Sequence, residues 1–213
     1  MYRILLRLLY IVVIFTLASS ALAGSYEDLL AAIKQDDRPV AEALLARGMD
    51  VNTTDSGGNT LLMIAVQQDH TDLAKRLLQL KAKVDARNQY GETVLMLAAA
   101  KGELELVKLL VERGARINLT GWNPLIYAAW RGNTEIVKYL LEKGADIDAL
   151  APSGVSALMM AAREGHFDTV KLLLWEVADP NIKSDSGATA LQWALKAGNT
   201  EIANLLKQAG AKE

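Results

Sequence analysis

The 213-residue chain is 51% hydrophobic, contains no cysteine and carries a formal net charge of -2. That length allows one or two packed domains, and the absence of cysteine leaves packing alone to hold them together. Near neutrality offers no basic field for a phosphate backbone, and so small an acidic excess does not call for a cationic partner, so nucleic acid is excluded from the expected partners.

The chain opens with "MYRILLR", which places Arg3 and Arg7 before the unbroken apolar run "LLYIVVIFTL" and the small residues of "ASSALA". Charge, apolar core and small residues in that order read as a secretory signal over residues 1–23, with cleavage after Ala23 leaving Gly24 first and Ser25 as a helix cap. The apolar core is short beside the roughly 20 residues that span a bilayer, yet an uncleaved anchor is the standing alternative. No cysteine follows the run, which excludes a bacterial lipoprotein. Removing Arg3 and Arg7 leaves 21 basic against 25 acidic residues, a balance of -4.

The remainder repeats itself. A degenerate unit, residues 24–56, ends in Gly48 and then Val51-Asn52; five registered units follow at 57–89, 90–120, 121–153, 154–186 and 187–213. Leu62, Leu95, Leu125, Leu158 and Leu191 share one place in them, and Ala65, Ala98, Ala128, Ala161 and Ala194 another. Each unit reads as a short helix beginning near that leucine, a turn at Gly102, Gly132, Gly165 or Gly198, and a second helix with a Val-x-x-Leu-Leu stripe. Gly114, Gly144 and Gly210 then stand where a helix ends in a left-handed residue. Val177 occupies that same place, so either its helix ends differently or the backbone stores strain. Helices this short are marginal alone in water, and stacking must stabilise them.

The units "TLLMIA", "TVLMLA", "NPLIYA", "SALMMA" and "TALQWA", followed by "GADID" and its relatives, resemble the ankyrin repeat, whose signature is a 33-residue unit containing Thr-Pro-Leu-His-x-Ala. The resemblance covers roughly residues 25 to 211 and extends to exported, periplasmic bacterial members of that family. It implies an all-α repeat solenoid: an ankyrin stack of about six helix-pair units with hairpin-like fingers, a concave face between fingers and first helices, and terminal units acting as polar caps. Proline survives only at Pro124, and the family histidine is replaced by Met63, Met96, Ile126, Met159 and Gln192. Histidine at that position helps tie neighbouring turns, so more apolar and looser ties are expected here.

Nothing in the chain reads as an enzyme. There is no nucleophile elbow, phosphate loop or dinucleotide fingerprint. The two histidines, His70 and His166, both fall at the turn into a second helix, three repeats apart, too far to share a metal. Asp85, Asp146, Asp148 and Asp179 recur at finger edges as turn formers rather than acid/base pairs. Asn52 and Asn118 head Asn-x-Thr sequons but also occupy the repeating asparagine, and Met63, Met96, Met159 and Met160 read as core filling rather than a copper(I) path. No cofactor, metal or small-molecule substrate is expected.

The step from Leu95 to Leu125 is three residues shorter than its neighbours, which shortens the finger ahead of "GWNPLIYAAWRG". By the resemblance, finger residues and the two after Ala-Ala face the concave side: Tyr90, Glu92, Lys101, Trp122, Trp130, Arg131, Val155, Arg163 and Glu164. Trp130 stands where other units carry Gln67, Ala100, Arg163 and Lys196, so the fold does not demand an aromatic there. Trp, Tyr and Arg are the side chains that most often anchor interfaces. Trp122 either stands exposed or folds down over the shortened finger. Tyr127 aligns with Ile64, Leu97, Met160 and Trp193 and reads as packing against the next unit; Trp175 aligns with Gln79, Glu112, Glu142 and Gln208. The expectation is a non-enzymatic module that binds a protein through its middle units in the bacterial periplasm, touching membrane only if residues 1–23 stay attached. Its rivals are a membrane-tethered scaffold and an enzyme or metal carrier.

Overall fold

The structure is a computed structural model that describes residues 26–212. The signal, its cleavage point and the Ser25 cap therefore lie outside the described residues. Among those described, every regular element is a helix, apart from one isolated antiparallel bridge between Thr54 and Thr60. The described chain divides into two compact units, one up to residue 82 and the other from residue 83.

The first unit holds α1 (helical over 26–34), α2 (Arg38–Ala46), α3 (Leu61–Gln67) and α4 (Thr71–Gln79). Leu29, Ile33, Leu61, Leu62, Leu73 and Leu77 are fully buried and form its core. The second unit holds α5 (Val94–Lys101), α6 (Leu104–Glu112), α7 (Pro124–Trp130), α8 (Thr134–Glu142), α9 (Ala157–Glu164), α10 (Phe167–Trp175), α11 (Ala190–Ala197) and α12 (Thr200–Gln208). Its first helices pack in sequence, α5 on α7, α7 on α9 and α9 on α11, and each also packs on its own second helix. The stacking supplies what helices of seven to nine residues cannot supply alone. The first helices α3, α5, α7 and α9 are largely buried, α9 burying Ala157 through Ala162 without a break, whereas α11 of the last repeat buries only Ala190, Leu191 and Ala194.

Each registered first helix starts on a buried cap. Thr60, Thr93, Asn123, Ser156 and Thr189 accept through their side chains from the backbone N–H of Met63, Met96, Ile126, Met159 and Gln192. This satisfies one of the donors that every helix start leaves open. The second helices of the five registered units have no such cap, and in four of them the residue at that place reaches elsewhere. Asn133 Nδ2 donates to the carbonyls of Ala99 (2.7 Å) and Ala100 (3.1 Å), and Asn199 Nδ2 to those of Ala162 (2.9 Å) and Arg163 (3.0 Å). His166 Nε2 lies 3.0 Å from the Trp130 carbonyl, and His70 Nδ1 lies 3.1 Å from that of Ile33. Both histidines thus close the end of a preceding first helix. The looser ties expected from the replaced family histidine are offset here, since polar ties run through a different column of the repeat. Met63, Met96 and Met159 are at most 1% exposed and Met160 4%, and all four fill the core.

The finger edges are tied in the same way. Asp85 Oδ1 accepts from Arg116 N, Asn118 Oδ1 from Asp146 N, Asp148 Oδ1 from Asp179 N and Asn181 Oδ1 from Lys212 N, all at 2.9–3.0 Å. Asp146 and Asp179 accept from Asp148 N and Asn181 N within their own fingers. Asp146 and Asp179 form turns, as their spacing predicts, while Asp85 and Asp148 link one finger to the next, which the spacing does not predict. Asn118, the second sequon asparagine, also donates to the Gly144 carbonyl at 2.8 Å.

Val177 resolves one alternative. Its φ is +68°, beside +87° at Gly114, +85° at Gly144 and +89° at Gly210. Val177 N donates to Leu174 O and Ala178 N to Leu173 O, the same pair of bonds by which Gly114 and Ala115 close α6 on Val111 and Leu110. The helix ends as its neighbours do, and the backbone carries the strain.

Candidate functional site

Eleven residues, 113–123, separate α6 from α7, where fourteen, 143–156, separate α8 from α9 and fourteen, 176–189, separate α10 from α11. The longer fingers close their tips with paired backbone bonds, Ala151 N to Val155 O with Gly154 N to Ala151 O, and Ser184 N to Ala188 O with Gly187 N to Ser184 O. The finger before α5 closes likewise through Asn88 N to Glu92 O and Gly91 N to Asn88 O. The short finger ends directly in Trp122 and the Asn123 cap of α7.

Trp122 and Trp130 meet through Tyr127. The Tyr127 ring lies edge-to-face with Trp122 at 5.8 Å and with Trp130 at 6.2 Å between centroids. Tyr127 and Trp130 lie three residues apart on α7 and so share a face, while Trp122 comes from the finger just before it. The tyrosine hydroxyl donates to Glu92 Oε1 at 2.8 Å, and Glu92 Oε2 accepts from Asn88 Nδ2 at 2.8 Å. Burial, reinforced by the hydrogen bond to the Glu92 carboxylate and by its charge, pushes the Tyr127 hydroxyl well above the usual phenol range. Beyond Trp130, the Arg131 guanidinium lies 5.7 Å from the Trp130 ring centroid. The result is one continuous line: Glu92, Tyr127, the two tryptophans and Arg131. Trp122 (37%) and Trp130 (38%) keep over a third of their surface in solvent while packing on Tyr127, so neither full exposure nor full burial describes them.

A second group forms one repeat further on. Arg163 lies 5.2 Å from the Trp193 ring centroid and pairs with Glu164 at 2.7 Å. Arg163, Trp193, Lys196, Ala197 and Ser186 line an open cavity of about 380 Å³.

The other expected contact residues divide. Tyr90 is 82% exposed and stands apart from the aromatic line, with its backbone N–H on Asn88 Oδ1; Lys101 is exposed at the end of α5. Glu92 is half-buried, and both of its oxygens are engaged within the protein. Val155 is a correction. It is 5% exposed and its carbonyl closes the finger on Ala151 N, so it is part of the core and offers no contact surface. Tyr127 and Trp193 are the residues that alignment by apolar character passed over. Their signal was the change of type in a column otherwise filled by Ile64, Leu97 and Met160: a half-buried phenol must find a polar partner. Trp175, 82% exposed on α10, belongs to neither group.

Among the described residues no cluster of His, Cys, Asp or Glu has the arrangement of a metal site, and no helix is long and apolar enough to cross a membrane. Paired short helices, capped and linked in register, define an all-α repeat solenoid. The family description for ankyrin repeats, in three copies, matches residues 29–120, 80–151 and 148–213, and the chain belongs to the ankyrin-repeat family. Ankyrin repeats are generally non-enzymatic modules that bind proteins. No curated protein matches the chain.

Proposed function

We propose that this chain is a non-enzymatic binding module of the bacterial periplasm that grips a protein partner through the concave side of its middle repeats. The observation that carries the reading is the line Trp122, Tyr127, Trp130 and Arg131. Two tryptophans are left more than one-third exposed, Trp130 at a position that other units fill with small, polar or charged residues, and a stacked arginine lies beside them. Large rigid aromatics supply contact area at low entropic cost and arginine adds directed, charge-assisted hydrogen bonds, which is why they dominate interface energetics. Tyr90, Lys101, Arg163 and Glu164 extend the proposed surface to either side; Glu92 supports it from behind through Tyr127. Export rests on residues 1–23, whose charge, apolar core and small residues suit signal peptidase.

In-cell crosslinking from position 130, in a strain making the full chain, tests the site. One defined protein crosslinked at 130 and lost on Arg131→Gln is the expected result; no specific adduct from 130 would sink the proposed face. N-terminal sequencing of the exported protein tests the other half. Gly24 at the front supports the soluble periplasmic form, whereas Met1 retained on membrane-bound protein replaces it by the tethered scaffold.

A further inference from the structure

We infer that the partner segment is acidic: an extended peptide whose carboxylates are read by the cations of the second unit, one in the cavity between Arg163 and Lys196 and another at Arg131. The inference rests on the concave-face reading and adds the chemistry of what binds there.

The exposed ends of the first helices carry the same charge in consecutive repeats: Lys101 on α5, Arg131 just after α7, Arg163 on α9 and Lys196 on α11. Two of these are held in place by aromatic rings. Arg131 lies over Trp130 at 5.7 Å and Arg163 over Trp193 at 5.2 Å. A guanidinium lying against a ring keeps its N–H edge available and loses less freedom when a carboxylate docks bidentately. The cavity of about 380 Å³ is lined by two cations, a tryptophan, Ser186 and Ala197, with no acidic residue among them. Two of the nearby acids, Glu92 and Glu164, are already committed, while Asp185 stands exposed beside Ser186. Glu92 is engaged by Tyr127 and Asn88, and Glu164 lies on Arg163 through a single oxygen, Oε1, which meets Nε at 2.8 Å and Nη2 at 2.7 Å. That pair is exposed, and such pairs hold weakly, so an incoming carboxylate can share the guanidinium or replace Glu164. Among the described residues no carboxylate pairs with Arg131 or Lys196.

Spacing agrees with an extended ligand. Adjacent packed helices lie about 8–10 Å apart, and three residues of extended chain cover roughly 10 Å. Acidic side chains at such intervals therefore meet successive repeats. The surface is locally basic although the whole chain is at -2, so selection for acidic partners is a property of this face and not of overall charge.

The test uses the mature full-length protein and a fluorescein-labelled peptide of four Glu-Gly-Glu repeats, followed by anisotropy at low and moderate salt. The expected result is binding that weakens with salt, is absent for the same peptide with Gln or Lys in place of Glu, and falls about fivefold for each of Arg131→Gln, Arg163→Gln and Lys196→Gln. Lys138→Gln, on the exposed side of α8, leaves it unchanged. Melting curves recorded beside each titration separate lost contacts from lost folding. No binding at millimolar peptide, equal binding of the Gln peptide, or tighter binding of a single-stranded oligothymidylate of matched charge overturns the acidic-peptide assignment. The crosslink from position 130 remains the separate readout of the face itself: a specific adduct with a charge-indifferent peptide titration removes the acidic specificity and leaves the site standing.

Discussion

Replacing Val177 by glycine should stabilise the protein. Val177 holds φ +68° with 81% of its surface exposed, so it combines a left-handed backbone with a side chain that buries almost nothing. An L-residue loses about 1–2 kcal/mol in that region, and β-branching puts valine at or above the upper end. The equivalent glycines Gly114, Gly144 and Gly210 have nothing within 4 Å of where a Cβ would stand, so neighbours do not compensate at this column. Glycine removes the strain but gives back roughly 0.5–1 kcal/mol through the greater freedom of the unfolded chain. The net gain is about 1 kcal/mol, a rise in Tm of about 2–4 °C for a chain of this size. Val177→Asn, which tolerates the left-handed region without loosening the unfolded chain as much, should gain at least as much, and Val177→Ala, which relieves only the β-branching, should gain less. Thermal and urea unfolding followed by circular dichroism measure all three. A Tm unchanged or lowered in both the Gly and Asn variants would refute the assignment of stored strain at this turn.

Trp130→Gln should cost about 2–3 kcal/mol in urea unfolding, from partly replaced ring burial and the lost edge-to-face contact with Tyr127; a cost under about 0.5 kcal/mol would show that the ring packs on nothing. Tyr127 has its hydroxyl titration raised in the folded state above that of an unfolded tyrosine, near 10. Its contribution is therefore fully present below pH 10 and is lost as pH climbs toward the folded value, so the wild-type urea midpoint should fall above pH 10 more steeply than that of Tyr127→Phe. Parallel slopes for the two proteins would contradict it. Gly132→Ala places a Cβ 2.5 Å from His166 Nδ1, while Gly144→Ala meets nothing within 4 Å. Both pay about 1 kcal/mol of backbone strain, and only the first also displaces the ring that closes α7, so it should be at least 1 kcal/mol worse by thermal unfolding.

The repeat was legible in the sequence because helix pairs that cannot stand alone must bury the same stripe in each unit. Leu62, Leu95, Leu125, Leu158 and Leu191 recur for that reason, and all are at most 2% exposed. Turn glycines were legible too, as were Asp146 and Asp179, since each answers a local demand for φ or for a hydrogen-bond partner within a few residues; the links from Asp85 and Asp148 to the next finger were not. What only the tertiary structure decided lies between repeats. Val155 shares its column with Trp122, yet one is buried and the other is 37% exposed, because a full-length finger closes its tip over the first and the shortened finger has no such closure. The bond from Tyr127 to Glu92 joins residues 35 apart, and the stacking of Arg163 on Trp193 joins neighbouring first helices. Register along one dimension determines which positions face inward; the side chains that meet across the stack depend on finger length and ring orientation, which a periodic sequence pattern does not encode.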